Sequence, residues 1–211
     1  MKVHNVEQRS AEWMRLRTGC LTASNFKTAR ERLKNGEFSG AAKKLAAKLA
    51  IERISGEPQG DVFQTYAMRR GTELEPEALD AYSFACGEII QPVGFVTTDC
   101  GIYGASPDGF QGEHGGVEVK CPIECERVID LVVNLNHADY MDQIQGNLWI
   151  TERKQWVLVI YTPQLSGVNK ELNTYVYERD EAYIDALKKD LEDFNKLVEG
   201  YVLSLSTQKA A

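Results

Sequence analysis

Two carboxylates and an ammonium stand close together in the middle of the chain. Asp108 closes the run Gly104-Ala105-Ser106-Pro107-Asp108-Gly109, and a glycine-rich gap leads to Gly116-Val117-Glu118-Val119-Lys120-Cys121-Pro122. Val117 to Lys120 alternates apolar and charged residues, the pattern of a half-buried strand. Side chains two apart on a strand share a face. Glu118 and Lys120 therefore point the same way, roughly 7 Å apart along the strand, while both valines face a core. Gly109, Gly112, Gly115 and Gly116 supply a turn, and if the chain reverses there Asp108 lands beside Glu118. Adjacent carboxylates repel unless a cation sits between them, and hard Mg²⁺ takes oxygen ligands while retaining waters. Lys120 can then orient an attacking water and offset charge on a phosphorane-like transition state. Such a set suits a two-metal phosphodiesterase. The alternative reading is a hairpin carrying a solvated Glu–Lys pair.

The elements that must hold these residues follow from periodicity and capping. Ser10 is placed to N-cap a short helix that ends at Gly19, and Thr22-Ala23-Ser24 opens another. Gly40 and Gly56 bracket an alanine-rich amphipathic helix. Tyr66 to Ala85 reads as a long helix with Pro76 inside it, so a kink or break is expected near Glu75. Ile89 to Thr97, Gly101 to Ala105 and Val117 to Lys120 read as strands. Ala138 to Trp149 is a helix, and the apolar run Trp156 to Tyr161 suits a buried central strand. Asn173 to Tyr177 alternates like a flanking strand, and a terminal helix starts at Asp180. The expected fold class is α/β (α+β), a mixed central β-sheet flanked by helices. The 211 residues suit a single domain. Its helical part spans about 1–86, its catalytic sheet core about 87–178 and its last helix about 180–204.

Composition sets outer bounds. No stretch approaches a membrane span, and the first five residues lack an apolar signal region. The five cysteines, Cys20, Cys86, Cys100, Cys121 and Cys125, form no C-x-x-C pair, which disfavours a zinc ribbon and suits reduced intracellular thiols. The net charge of −7 argues against a nucleic-acid partner. Its distribution is uneven: cations from Arg15 to Arg53 make the first quarter basic, while acids concentrate after Glu73. This fits a DNA track on one face but, from charge alone, better fits an ordinary solvated helix face.

Other residues could join the site by type and spacing, although each taken alone reads as well or better as a solvated or packing polar group. Glu75 is a third acid near the expected helix break. Tyr140 and Gln143 lie three apart on one helix face and can bond a phosphate or order a water. Arg17, beside the Thr22-Ala23-Ser24 helix entry, combines a cation, hydroxyls and helix N-terminal amides, the elements of an anion site.

In this order, these segments resemble the phage lambda exonuclease family, the YqaJ-like viral recombinases, from about Glu12 to about Asp180. The signatures are Trp13-Met14-Arg15-Leu16-Arg17-Thr18-Gly19 with Thr22-Ala23-Ser24, and Gly71-Thr72-Glu73-Leu74-Glu75. Ser106-Pro107-Asp108-Gly109, Glu118-Val119-Lys120-Cys121-Pro122 and Tyr140-Met141-Asp142-Gln143-Ile144-Gln145 complete them. The resemblance implies a restriction-endonuclease-like core. It implies digestion of double-stranded DNA from 5′-phosphorylated ends, 5′→3′, leaving 3′ overhangs for phage-type recombination by strand annealing. It also implies two Mg²⁺ per site, with Mn²⁺ as a substitute, a homotrimeric ring, a single-strand annealing partner and a bacterial host cytoplasm.

By the same resemblance Asp108, Glu118 and the Val119 carbonyl correspond to metal ligands, Lys120 to the catalytic lysine, and Glu75 to a supporting acid. Arg17, Ser24, Ser106 and Gln143 correspond to a 5′-phosphate pocket, and Tyr140 to a neighbouring tyrosine. Lys34 stands where the family places a basic residue near the DNA end. The segment Glu73-Leu74-Glu75-Pro76-Glu77 is richer in acid than the family pattern, so Glu73 and Glu77 compete with Glu75 for its role. A single-strand nuclease with an iron–sulfur cluster is disfavoured, since no cysteine follows Cys125. A non-catalytic DNA-end-binding or recombination-scaffold protein is the alternative of another class.

Overall fold

The computed structural model describes residues 1–59 and 66–207. In chain order the strands are β1 Lys2–His4, β2 Leu21–Thr22, β3 Ile90–Gln91, β4 Phe95–Thr97, β5 Tyr103–Ala105, β6 Gly109–Gln111, β7 Gly115–Lys120, β8 Gln155–Tyr161 and β9 Leu172–Glu178. The helices are α1 Ala11–Arg17, α2 Phe26–Arg30, α3 Gly40–Ser55, α4 Tyr66–Cys86, α5 Cys125–Val132, α6 Met141–Thr151 and α7 Glu181–Ser206. They divide into two compact units, one of residues 1–61, 94–106 and 180–211, the other of 62–93 and 107–179.

In the first unit a four-stranded sheet runs β1-β4-β5-β2. Ser10 caps α1 as its position suggests, its Oγ accepting from Trp13 N at 3.1 Å. Ser39 does the same for α3, which stops at Gly56 with φ +69, a left-handed conformation that glycine adopts without strain. Ala42, Ala46, Leu49 and Ala50 form the buried stripe of α3, and small side chains there let it pack closely on α7. Asp180 caps α7, whose inner stripe is Ile184, Leu187, Leu191, Phe194 and Val198.

In the second unit a five-stranded sheet runs β3-β6-β7-β8-β9, with β7 and β8 parallel and the other pairs antiparallel. Its two faces carry different residues of the same strands. Val117, Val119, Val157 and Val159 turn to α4, which lays Ala78 and Tyr82 against them. Glu118, two residues from Lys120, turns to α6. Gly116 makes room for the indole of buried Trp156; a Cβ there would lie 2.2 Å from its Cζ3.

The α/β class and the mixed, helix-flanked sheet match the sequence expectation, with a second sheet added. Three local readings change. Ile89 to Thr97 is two strands in two sheets, β3 and β4, rather than one. Gly109 to Gln111 is strand β6, so the turn shrinks to Gly112-Glu113-His114. Pro76 does not break α4. Its missing N–H removes one bond of a 21-residue helix, and Leu74, Ala78 and Tyr82, packed on the sheet on either side of it, anchor the helix across that position. Among the described residues no helix is long and apolar enough to cross a membrane.

Candidate active site

The β6–β7 hairpin sets the two central carboxylates. Its rungs pair Gly109 with Val117 and Gln111 with Gly115, so the next rung outward faces Asp108 toward Glu118. Asp108 N donates to Val117 O at 3.2 Å. Beyond it β6 supplies no further partner, and the Asp108 carboxylate takes over: Val119 N donates to Oδ2 at 2.6 Å. The N–H and C=O of one strand residue point to the same edge, so the Val119 carbonyl also faces the Asp108 side.

Glu118 is the buried centre of the cluster, 3% exposed. Its Oε1 accepts from Lys120 Nζ at 2.7 Å and from Gln143 Nε2 at 2.6 Å. Its Oε2 accepts from Asn147 Nδ2 at 3.1 Å. Gln143 and Asn147 are four apart on α6, one turn on a single face. Lys120 Nζ also donates to Gln143 Oε1 at 3.2 Å and lies 5.3 Å from the centre of the Tyr140 ring. Arg127 sits 5.0 Å from the same ring, so Tyr140 is flanked by two cations. Asn147, buried at 1% exposure, was not singled out from the sequence; its signal is the i, i+4 spacing from Gln143.

Charge follows this geometry. Burial pushes the Asp108 carboxyl well above the usual carboxylate range, and the fields of Glu118 and Glu75 push it further, against Lys120 and the Val119 N–H. For Lys120 burial disfavours the charge, but Glu118 and Asp108 outweigh it and the ammonium is held more firmly than usual. The Cys121 thiol is pushed up to about 11 by burial and then by Asp108 and Glu75. Of the three candidate acids on α4, Glu75 therefore shares the field of Asp108. Glu77 instead accepts from Tyr161 OH at 2.5 Å, and Glu73 is exposed. Among the described residues no three His, Cys, Asp or Glu side chains converge on one point: Glu118 is turned to its three donors and Asp108 to Val119.

The first unit holds a different cluster. Arg17 Nη1 donates to Ser106 Oγ at 2.9 Å and Nη2 to Thr22 Oγ1 at 3.5 Å. Its guanidinium stacks 4.1 Å from the centre of the Trp13 ring, and Trp13 Nε1 donates to the same Ser106 Oγ at 3.0 Å. Thr22 Oγ1 lies 3.2 Å from Ser24 Oγ. Among the described residues no carboxylate pairs directly with Arg17, and burial pushes its pKa down to about 10. The sequence motif alone gives Trp13 no role; its contacts with Arg17 and Ser106 do. Arg17 lines a cleft of about 170 Å³ with Trp13, Thr22, Asn25, Lys48 and Glu52. Lys34 is on the exposed turn closed by Gly36 N to Leu33 O. Thus Arg17, Ser106 and Ser24 form one hydroxyl-rich group, while Gln143 is bonded to Glu118 and Lys120.

Comparison with known proteins places this geometry in a family. The YqaJ-like viral recombinase domain matches residues 12–154. An alkaline exonuclease from Laribacter hongkongensis superposes with a TM-score of 0.80 at 29% identity, over 93% of this chain and 96% of that one. The same enzyme in complex with dAMP gives 0.83 at 28% identity over the same shares. A phage-related exonuclease from Haemophilus somnus 129PT, at 14% identity and a TM-score of 0.72 over 89% and 96% of the two chains, shares the fold. No curated protein is a significant match. The matched segment runs from Glu12, beside the Trp13–Arg17 stack, past the hairpin of Asp108 and Glu118 and the α6 donors: this chain belongs to the YqaJ-like viral recombinase family.

Proposed function

We propose that this protein is a Mg²⁺-dependent 5′→3′ exonuclease that degrades double-stranded DNA from 5′-phosphorylated ends. It releases 5′-mononucleotides and leaves 3′ overhangs for recombination by strand annealing. The observation that carries the reading is the buried Glu118, bonded to Lys120, Gln143 and Asn147 beside an Asp108 whose carboxyl is raised by acidic neighbours. The relatives described as exonucleases, one of them in complex with a mononucleotide, support it.

The donor set suits a hard divalent ion. A carboxylate offers about four lone-pair sites; Glu118 uses three, and Asp108 Oδ1 has no partner among the described residues. Asp108, Glu118 and the Val119 carbonyl would hold Mg²⁺, or Mn²⁺ in its place. Two such ions supply activation of the attacking water and neutralisation of the leaving oxygen. Around them Lys120 holds its proton and offers positive charge to the phosphoryl oxygens, Gln143 and Asn147 fix Glu118, and Glu75 adds to the negative field at Asp108. Arg17, Ser24 and Ser106 receive the terminal 5′-phosphate, a role the family resemblance also gives to Gln143; Tyr140 fixes the Lys120 side of the site, and Lys34 contacts the DNA end.

The same reading includes a homotrimeric ring that encloses duplex, a single-strand annealing protein as partner and a place in the host cytoplasm. Light scattering that finds a monomer, with distributive cleavage, would remove the ring. The deciding experiment is digestion of linear duplex bearing 5′-phosphate or 5′-hydroxyl ends, with and without Mg²⁺. Mononucleotide release only with Mg²⁺ is expected. Binding to ends without digestion would instead support a non-catalytic end-binding scaffold.

A further inference from the structure

Arg70 heads a row of α4, Arg70, Leu74, Ala78 and Tyr82, whose members are four apart and share a helix face. Tyr82 OH donates to Gln111, the partner of Gly115 at the start of β7. Leu74 and Cys121 pack on the cluster that contains Val119, near the other end of that strand. α4 therefore runs back along β7 from its C-terminal end, and Arg70, one turn before Leu74, stands at the rim where Lys120 and Cys121 leave the sheet. The charge of Arg70 reaches the Cys121 thiol, as do those of Asp108 and Glu75.

The Arg70 Nε is buried and has no hydrogen-bond partner among the described residues. An unmet donor on a cation is costly in a protein interior, and such a group calls for an explanation, a bound anion being one that suits a cation. A planar guanidinium fork matches a phosphate, and a cation on this rim offsets the repulsion that Asp108, Glu118 and Glu75 exert on a DNA strand.

We propose that Arg70 is a substrate-positioning residue: its guanidinium grips a non-bridging phosphate oxygen of the DNA strand next to the phosphodiester that Asp108, Glu118 and Lys120 cleave. The inference rests on the exonuclease reading. It differs from a purely structural role, in which Arg70 only balances the acids of its own unit, because a phosphate contact releases counterions from DNA. The logarithm of the binding constant falls linearly with the logarithm of salt, by about 0.9 per phosphate neutralised on duplex.

The test is equilibrium binding of a 5′-phosphorylated linear duplex in Ca²⁺ over a KCl series, for wild type, Arg70→Gln and Arg70→Lys. Arg70→Gln should bind about tenfold more weakly on every duplex sequence, with a salt slope shallower by about 0.9. Arg70→Lys should keep the slope. In Mg²⁺, Arg70→Gln should raise KM and leave kcat near wild type. If Arg70→Gln does not fold, Arg70→Lys decides: a several-fold higher KM with an unchanged slope supports the contact, and a wild-type KM overturns it. An active wild type whose Arg70→Gln variant keeps both slope and affinity overturns this inference alone. A wild type that neither binds nor digests duplex overturns the exonuclease reading and this inference together.

Discussion

Lys120 Nζ lies 2.7 Å from Oε1 of Glu118, two residues earlier on the same strand, and both are tied to Gln143. The alternation of β7 makes the pair unavoidable, since the two side chains share a face. Its consequence is a cation locked beside the site, because the fields of Glu118 and Asp108 outweigh the burial that would otherwise discharge it.

Lys120→Ala should therefore act on the chemical step. Single-turnover digestion should slow by a hundredfold or more, on the order expected for a transition-state contact, while duplex binding in Ca²⁺ changes little. Equal losses in rate and binding would make Lys120 a phosphate anchor instead. The raised ammonium pKa also predicts that Lys120 stays charged through mildly alkaline pH, so the rate at pH 9 should show no loss traceable to it. An alkaline limb that disappears in Lys120→Arg would contradict this.

Asp108 predicts a pH-dependent stability with a definite sign. Its carboxyl is raised by burial and then by Glu118 and Glu75, so the folded chain keeps this proton at pH values where the unfolded chain has lost it. Native protein binds more protons in that window, and stability falls as pH rises through it. In EDTA, melting temperature should drop from the ordinary carboxylate range upward, Asp108→Asn should flatten the drop, and Mg²⁺ should reverse it. The apparent Mg²⁺ affinity should rise over the same window, since the ligand must lose its proton. Identical pH profiles of melting for wild type and Asp108→Asn would refute the placement of Asp108 in this field. Asp108→Asn should also abolish digestion.

How much of this was legible follows from the range of each signal. Glu118, Lys120 and their face could be read because a strand repeats every two residues; the glycines signal a reversal but not its register, which the pairing of Gly109 with Val117 sets. The strands β1 and β3, three and two residues long, are too short for any period to show. The acids of α4 could not be ranked by sequence: Glu75 and Glu77 differ by the partner each meets, and Tyr161, which engages Glu77, is 84 residues away. The same distance problem hides Trp13, whose indole N–H meets Ser106 across 93 residues. Asn147 went unread because a buried amide and a surface amide look alike in a helix of mixed polarity.

Asn147 gives a third prediction. It is the only donor to Glu118 Oε2 among the described residues, and it helps to fix the carboxylate plane. Asn147→Leu should leave that oxygen unsatisfied, costing about 1–3 kcal/mol of stability. It should also raise the Mg²⁺ concentration needed for half-maximal rate more than it lowers the rate at saturating Mg²⁺, since fixing a ligand tunes ion affinity. Wild-type stability together with wild-type Mg²⁺ dependence would show the bond to be incidental. Glu118→Ala is the poorer probe here, because it would strand Lys120, Gln143 and Asn147 together; Glu118→Gln keeps the shape and should still abolish digestion.

The last prediction concerns which end is chosen. Arg17 is a half-buried cation whose partners are hydroxyls, Ser106 and Thr22, with Ser24 next in the chain of contacts. Burial pulls its pKa down to about 10 against the fields of Cys20 and Glu52, so the group gains from any anion that reaches it. A terminal phosphate carries up to about −2 charge near neutral pH, more than an internal diester, and can accept charge-assisted bonds where the hydroxyls now stand. Duplex with a 5′-phosphate should be digested faster than duplex with a 5′-hydroxyl. Arg17→Ala should erase most of that preference, at about 1.5–3 kcal/mol per bond lost, or roughly ten- to a hundredfold in rate. Because Trp13 stacks on the guanidinium and shares Ser106 with it, Trp13→Phe should keep the stack, lose the indole donor and show a smaller loss of the same preference. A wild type indifferent to the terminal phosphate, or an Arg17→Ala variant that keeps the full preference, would remove the phosphate role from Arg17 and leave the chemistry of Asp108, Glu118 and Lys120 untouched.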